Sequence, residues 1–469
     1  MANTALTANQ IRATKFVLVL TDMLAFALSG GFAAVLASLL TNGHYRHWFI
    51  SQDVQRYGAW FLVVLCAMLL FLGRYRHYSD RMPFWTELGE ILRVLSLMAM
   101  LDLAVLALTR WNASRLWWAC VWPLAAFWVP LLRWTARSVM LKLGVWQRPT
   151  LIIGNGPNGH EALAALKSEP ALGFDVVRFV DSSRFGQEQS VQLARWVDVP
   201  GVQFVLAVEH GQNDVREDVL RFLAQAQAED VCVIPAMRGV PLYGTDISYF
   251  FSHEVALLKL RNNLRYWPAK LIKRVFDVLA SIGLLVLLAL PMCWLVMYIR
   301  KDGGAAVFAH ERVGRGGRKF WCFKFRTMHM DAEQKLRELL EKNAVLQEEW
   351  GKEFKLRNDP RVTRIGQFLR RTSLDELPQL LNVIRGDMSL VGPRPVVEAE
   401  LSRYGNDVDY FLMVRPGMTG LWQVSGRNDT GYDARVYLDI WYVKNWSLWY
   451  DVAILFKTIN VVLGRKGAY

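Results

Sequence analysis

"VLASIGLLVLLALPMCWLVMYI", Val278 to Ile299, is the stretch on which the architecture turns. It is apolar throughout and long enough to cross a bilayer, which takes roughly 20 residues of helix. Two features argue against crossing. Pro291 lacks a backbone donor and kinks a helix from within. Both flanks are also basic, with Lys273 and Arg274 before the run and Arg300 and Lys301 after it. Basic flanks favour the cytoplasmic side. A re-entrant hairpin that dips in and returns keeps both flanks there. An ordinary spanning helix would instead carry the whole basic C-terminal region across.

The segment leading into this run, "NNLRYWPAKLIKRVFD", places Lys270, Lys273 and Arg274 among Leu271, Ile272, Val275 and Phe276. With Tyr266 and Trp267 at its start, it reads as a helix lying in the membrane surface. The chain as a whole has 469 residues, a net charge of +13 and 53% hydrophobic content, which suggests more than one domain. Four further apolar runs, Phe16–Leu40, Tyr57–Gly73, Ile91–Thr109 and Leu116–Leu132, predict a four-helix transmembrane region over 1–140. Arg12 and Lys15, then Arg74, Arg76 and Arg81, then Arg133, Arg137, Lys142 and Arg148 flank these runs on one side, although Arg46, Arg56, Arg110 and Arg115 weaken the contrast. The positive-inside rule places both ends of the bundle in the cytoplasm. A cleavable signal peptide is not expected, because the first run is long and lacks a small-residue cleavage site. Asp22 and Asp102 fall inside apolar runs, as functional groups or as residues facing other helices. Cys66, Cys120, Cys232, Cys293 and Cys322 show neither metal-ligand spacing nor a disulfide framework, which suits a reducing compartment.

Beyond the bundle, "PTLIIGNGPNGHEALAAL" reads as strand, glycine-rich turn and helix, and "FDVVRFVD", "VQFVLAV" and "VCVIPA" follow as buried strands. The alternation predicts a Rossmann-like cytoplasmic α/β domain over 148–255. Gly154, Gly156 and Gly159 satisfy G-x-G-x-x-G, and Asp181 ends the second strand, where a ribose-binding acid would lie. These residues point either to a nucleotide site or to a scaffold that keeps the glycines for packing.

The region 262–469 holds the remaining chemistry. "DAEQKLRELLEKNAVLQEEWGKEFKL" predicts a long solvated helix. The tryptophans of "YLDIWYVKNWSLWYD" fit either a membrane interface or a core. "HERVGRGGRKFWCFKFRTM" gathers cations around glycines that let backbone N–H groups approach an anion. "SLDELPQL", Ser373–Leu380, sets Asp375 and Glu376 side by side. Ser373-x-x-Glu376 fits a helix capping box. That box would bury Pro378 inside its helix, whereas a helix beginning at Pro378 leaves the two carboxylates just before its positive end. Arg370 and Arg371 precede the pair, and Arg394 stands between two prolines in "GPRPV", a rigid mount for a phosphate-binding fork. Many cations with few carboxylates suit a phosphorylated substrate with a divalent metal, or a carboxylate that attacks phosphorus.

"KFRTM", "TSLDELPQLLNVIRGDMSLVGPRP" and "RPGMTGLWQVSGRN" occur in that order and resemble the signatures of bacterial polyprenyl-phosphate hexose-1-phosphate transferases, the monotopic phosphoglycosyl transferases. The resemblance covers about 268–469, and the preceding helices and α/β unit resemble the large members of the family. It implies a mainly α, membrane-anchored catalytic domain over 262–469, with a re-entrant helix over 278–299 and its break at Pro291, where Leu290 replaces the Ser of some members. It also implies transfer of sugar 1-phosphate from a UDP-sugar to undecaprenyl phosphate, with Mg²⁺ and release of UMP. In the implied ping-pong mechanism Asp375 is the nucleophile and Glu376 supports the metal. Lys324 and Asp451 complete the catalytic set, and Arg370 and Arg394 bind phosphate.

The stretches "GVPLYGTDISYFFSHEV" and "VYLDIWYVKNWSLWYD" are most similar to the galactose-transferring branch, so UDP-galactose is the implied donor, with UDP-glucose the alternative. The implied setting is the cytoplasmic face of a bacterial inner membrane, at the first step of a surface polysaccharide, with a homodimer expected from the extra domain. A reading of another class is a non-catalytic membrane regulator that senses a nucleotide through Gly154–Gly159. Nucleic acid is not an expected partner, because the basic residues are interrupted by membrane segments.

Overall fold

The computed structural model describes residues 7–41, 54–109, 115–181, 186–197, 199–228, 230–236, 246–249, 256–259, 267–332, 359–425 and 431–464, with isolated positions between 334 and 341. The charged stretch 331–356 and the segment 239–255 lie largely outside the described residues, as do Arg46, Arg110 and Tyr266. The chain forms two compact units, Met1–Arg238 and Gly239–Tyr469.

The first unit opens with apolar helices α1 (Ala8–Leu40), α2 (Val54–Leu69), α3 (Phe84–Thr109) and α4 (Arg115–Lys142). Of these, α1, α3 and α4 are long and apolar enough to cross a membrane, while α2 and the wider turn after it form a shorter apolar helix. Each long helix continues past its apolar run at the polar end. There α1 is closed by a capping box in which Thr7 and Gln10 bond each other's backbone N–H. Along α1, Ala25, Ala33 and Ala37 are fully buried, and small residues let α4 pack closely against it.

The polar ends meet in a buried ion network. Arg133 is only 2% exposed, and its Nε donates to Asp22 Oδ1 at 2.8 Å while its Nη1 donates to Glu87 Oε1 at 2.8 Å. The Tyr78 hydroxyl donates to Asp22 Oδ2 at 2.6 Å, and Arg137 takes the other side of Glu87. Asp22 therefore faces other helices and has a cationic partner. Arg133, read from sequence as a flanking charge, is that partner. Asp102 accepts a hydrogen bond from Trp122 Nε1 at 3.2 Å.

Arg81 performs a second stapling task. Its guanidinium donates to the carbonyls of Trp146, Leu172 and Gly173, tying the loop before α3 to the start of the α/β layer. That layer runs β1 (Arg148–Ile153), α5 (Pro157–Ser168), β2 (Phe174–Val180), α6 (Gln187–Val197), β3 (Gln203–Leu206), α7 (Asn213–Gln225) and β4 (Asp230–Val233). The four strands are all parallel, in the order β2-β1-β3-β4. β1 and β3 are buried at every residue, as central strands covered on both faces must be. Of the antiparallel pair, β5 (Asp246–Tyr249) falls inside the 148–255 range expected for the α/β domain and β6 (Ala256–Lys259) just after it, and both belong to the second compact unit.

The second unit continues with α8 (Trp267–Ile299) and an antiparallel hairpin, β7 (Val307–Val313) and β8 (Lys319–Phe325). Next come α9 (Arg364–Thr372), α10 (Gln379–Arg385), β9 (Ser389–Val391) and α11 (Val408–Met413). β10 (Gly417–Thr419) pairs in parallel with β9, and α12 (Leu421–Val424), α13 (Tyr432–Lys444) and α14 (Leu448–Gly464) complete the unit. α8 runs through Pro291 as one helix. It buries Asp277 and Ser281 near one end and Leu295 and Ile299 at the other. Between them Val286 and Leu287 are each 74% exposed and Leu290 84%.

Arg133→Leu leaves Asp22 without its buried cation and is expected to destabilise the bundle by about 3–5 kcal/mol. Unfolding in detergent reads the loss, and Asp22→Leu with Arg133→Leu is expected to recover part of it.

Candidate active site

Ser373 has φ 56°, in the left-handed region, and its N–H donates to the carbonyls of Arg370 and Leu369. It therefore closes α9. The capping box Ser373-x-x-Glu376 does not form, because an N-cap needs an extended backbone and Ser373 makes no side-chain capping bond. Leu374–Glu376 forms a single tight turn, and Pro378 stands immediately before α10. The alternative reading, a helix starting at Pro378, holds within one residue.

This turn presents both carboxylates to β8. Lys324 Nζ donates to Glu376 Oε1 at 2.6 Å and lies 4.0 Å from Asp375 Oδ2. The register is set by Asn382 on α10, which is fully buried. Its Oδ1 accepts from the Phe323 N–H at 3.0 Å, and its Nδ2 donates to the Trp321 carbonyl at 2.7 Å. Asn382 thus stitches α10 to the strand that carries Lys324. It lies inside a motif quoted above, but a lone uncharged amide gave no signal that it spans two elements.

Arg370 approaches from α9, with its Nε donating to Thr327 Oγ1 at 3.0 Å. α9 comes this close because Gly366 packs on the Thr327 carbonyl, where an added Cβ would sit 2.0 Å from the oxygen. Burial raises the pKa of Asp375, Lys324 opposes the rise, Glu376 reinforces it and Arg370 opposes it, leaving the group pushed up to about 6. Burial works against the charge of Lys324, but Glu376 and Asp375 outweigh it, so its ammonium titrates above the ordinary lysine value. The result is an ionisable carboxylate beside a firmly held cation.

Asp451 occupies a different setting. It is 1% exposed, with Lys273 Nζ at 2.6 Å, the Tyr442 hydroxyl at 2.6 Å and Trp446 Nε1 at 3.1 Å. None of these partners is Lys324, Asp375 or Glu376. Lys273 also donates to the Val391 carbonyl at 3.2 Å, and Asp277 accepts from Ser389 Oγ at 2.8 Å. The group anchors α8 to β9, immediately before the Pro393-Arg394-Pro395 loop. Arg394 projects from that loop with its guanidinium 5.7 Å from the Trp422 ring centre.

In the α/β layer, Gly154 (φ 129°) and Gly159 are packing glycines, since added Cβ atoms would lie 2.2 Å from the Ala207 carbonyl oxygen and 2.0 Å from that of Gly154. At Gly156 the Cβ would lie 2.6 Å from Glu209 Oε1. That same carboxylate oxygen accepts the Asn158 N–H at 2.6 Å at the start of α5, where a phosphate would sit in a dinucleotide-binding turn. Asp181 follows β2 and is exposed.

Residues 268–465 match the model of the family described as bacterial sugar transferase. The chain is 50% identical over 418 residues, 87% of each chain, to the UDP-galactose-lipid carrier transferase of Erwinia amylovora. It is 45% identical over 468 residues, 97% of each chain, to the undecaprenyl-phosphate galactose phosphotransferase of Salmonella typhimurium. It is 34% identical over 340 residues, 69% of this chain and 60% of the relative, to the undecaprenyl-phosphate glucose phosphotransferase of Komagataeibacter xylinus.

Gly366→Ala is expected to cost about 1–3 kcal/mol of overpacking. A thermal melt should show the loss, whereas Gly431→Ala, whose Cβ would enter open space, should leave the melt close to unchanged.

Proposed function

This chain belongs to the bacterial sugar transferase family, and we propose that it transfers galactose 1-phosphate from UDP-galactose to undecaprenyl phosphate, releasing UMP, as the first membrane step of a surface polysaccharide. The observation that carries the chemistry is the cluster of Lys324, Asp375 and Glu376, two adjacent carboxylates against one held ammonium. The choice of galactose rests on the two relatives, named for galactose, that match most of this chain. UDP-glucose is the second reading, favoured by the relative from Komagataeibacter xylinus.

In the first step an oxygen of Asp375 bonds to the sugar-bearing phosphorus, the phosphorus–oxygen bond to UMP breaks, and UMP leaves with the electron pair. In the second step an oxygen of the lipid phosphate bonds to the same phosphorus, and the Asp375 carboxylate is regenerated. Lys324 holds Glu376 and offsets charge beside the attacking oxygen. Arg370 adds a second cation close enough to lower the Asp375 pKa. Arg394 binds phosphate from its proline-flanked mount.

The donor set fits Mg²⁺. No group of three or more His, Cys, Asp or Glu that could hold a metal is found among the described residues. Mg²⁺ characteristically takes one or two carboxylates and completes its shell with phosphate oxygens and water. Asp375 and Glu376 are the residues that would hold it, and when bound it would neutralise charge on the diphosphate.

The anchoring of α8 supports a re-entrant reading and a cytoplasmic site. A straight helix of 33 residues would reach about 50 Å. Yet Arg274 donates to the carbonyls of Val383 and Ile384, and the Ile299 carbonyl accepts from Arg326, so both ends are held by the same unit. Leu377, next to the carboxylate pair, packs against the apolar clusters at both ends. The exposed middle would then dip into lipid, with Pro291 at the return. Nucleotide sugar and lipid phosphate would meet at the membrane surface.

Purified protein with undecaprenyl phosphate and Mg²⁺ is expected to release UMP from UDP-galactose. Release from UDP-glucose alone would refute the sugar assignment. Without lipid acceptor, a phosphosugar adduct should form on the wild type and be absent from Asp375→Asn. The rate of adduct formation should fall about tenfold per pH unit below about 6, as Asp375 takes up its proton. In Lys324→Met this acid limb should move to higher pH, because the lost ammonium was lowering the Asp375 pKa.

A further inference from the structure

A second cationic group lies at the far end of the hairpin that carries Lys324. In the β7–β8 ladder Lys324 faces Phe308 and Arg312 faces Phe320. Alternation along the strands puts Arg312 and Lys324 on one face, four residue rows and about 14 Å apart at ~3.4 Å per row. Burial and the charge of Arg394 both depress the pKa of Arg312, so those two guanidinium groups are neighbours. Arg394 in turn lies 5.7 Å from the ring centre of Trp422, and Arg435 on α13 lies 5.2 Å from the same ring. Two guanidinium groups thus face one indole, and a third, that of Arg312, neighbours Arg394. Glu400 pairs with Arg312 at 3.9 Å, and Asp439 is pushed up to about 7 by burial, so the three guanidinium groups outnumber the carboxylate charge beside them.

The same place has an excess of unmet hydrogen bonds. Trp422 Nε1, Gln423 Oε1, Arg435 Nε and Asp439 Oδ1 are buried and have no hydrogen-bond partner among the described residues. Folded proteins leave few such atoms, and a local group of them marks a place where water, an ion or a ligand belongs. Trp422 Nε1 and Arg435 Nε are donors only. These two unmet donors, beside guanidinium groups in excess of the carboxylate charge around them, suit an anion, while Gln423 Oε1 and Asp439 Oδ1 are acceptors that suit a water or a proton. Planar guanidinium forks match phosphate oxygens best.

We propose that Arg312, Arg435 and the Trp422 indole N–H join Arg394 in an anion subsite that takes a phosphate group, set along the β7–β8 hairpin from Lys324. The proposal rests on the phosphoryl-transfer reading above and extends it to three residues that reading does not use. Trp422 acts as a platform that holds the Arg394 and Arg435 planes, and its N–H donates to the phosphate. Asp439, gripped by the Tyr404 hydroxyl at 3.1 Å, supports α13 behind Arg435. Two sources offer the chemistry, namely the phosphate of the uridine nucleotide and the phosphate of the polyprenyl lipid.

The test is a thermal-shift titration of the full-length protein in detergent, with UMP in one arm and a short-chain polyprenyl phosphate in the other. Wild type should be stabilised by at least one probe. Arg435→Gln should weaken binding of that probe about tenfold or more, the loss of one charge-assisted hydrogen bond. Trp422→Phe, which keeps a ring and deletes only the indole N–H donor, should weaken it too, and Arg435→Lys should restore little. Whichever arm loses its shift identifies the source. Asp375→Asn should keep the shift, so a dependence on Arg435 would stand even if no UDP-sugar yielded UMP and the catalytic reading fell. Folded variants that bind both probes as wild type does would overturn the subsite, as would a wild type stabilised by neither.

Discussion

A buried pair, Lys273 to Asp451, is the contact on which the catalytic unit depends. It joins α8, the longest helix of the unit, to α14 near the end of the chain, with Tyr442 and Trp446 completing the shell of the carboxylate. A charge pair so far from water is kept only when its hydrogen bonds are nearly complete, and these are. The same lysine reaches the Val391 carbonyl, and Asp277 one turn on takes the Ser389 hydroxyl. The strand leading to Arg394 is therefore indexed to α8, and that apolar helix and the Pro393-Arg394-Pro395 loop share one set of contacts.

The carboxylate pair is positioned by a different device. A left-handed Ser373 ends α9 abruptly, and Pro378 stands just before α10, so the residues between them form one half-buried turn. Asn382 then locks α10 to β8, which sets Glu376 against Lys324. Gly366 lets α9 approach closely enough for Arg370 to contribute its charge. Three neutral residues, Ser373, Gly366 and Asn382, thus determine where the charged ones meet.

Much of this was legible beforehand. Apolar length gave the bundle helices, since the cost of exposing backbone polar groups to lipid leaves few alternatives. Alternating strands and helices gave the parallel sheet, and Asp375, Glu376 and Lys324 stood out in their motifs. What stayed hidden depended on contacts between distant positions. Asp22 and Arg133 are 111 residues apart, and no local pattern pairs them. The buried partners of Asp451, which the resemblance implies in the catalytic set, were not legible because sequence does not reveal burial. The glycine turn stayed open between a nucleotide site and a packing scaffold because Glu209, whose carboxylate takes the Asn158 N–H, lies 51 residues from it.

The sequence by itself determined which segments are apolar, where strands and helices alternate, and which motifs carry the acids and cations, because those properties are local and periodic. The tertiary structure decided which charges are paired and which stay available. Lys273 and Arg133 are taken up by buried partners, Lys324 is turned toward the carboxylate pair, and Arg394 and Arg435 face Trp422, with Arg312 beside Arg394. The physical reason is that the worth of a charge depends on its burial and its neighbours. Both are set by residues that meet only when the chain has folded.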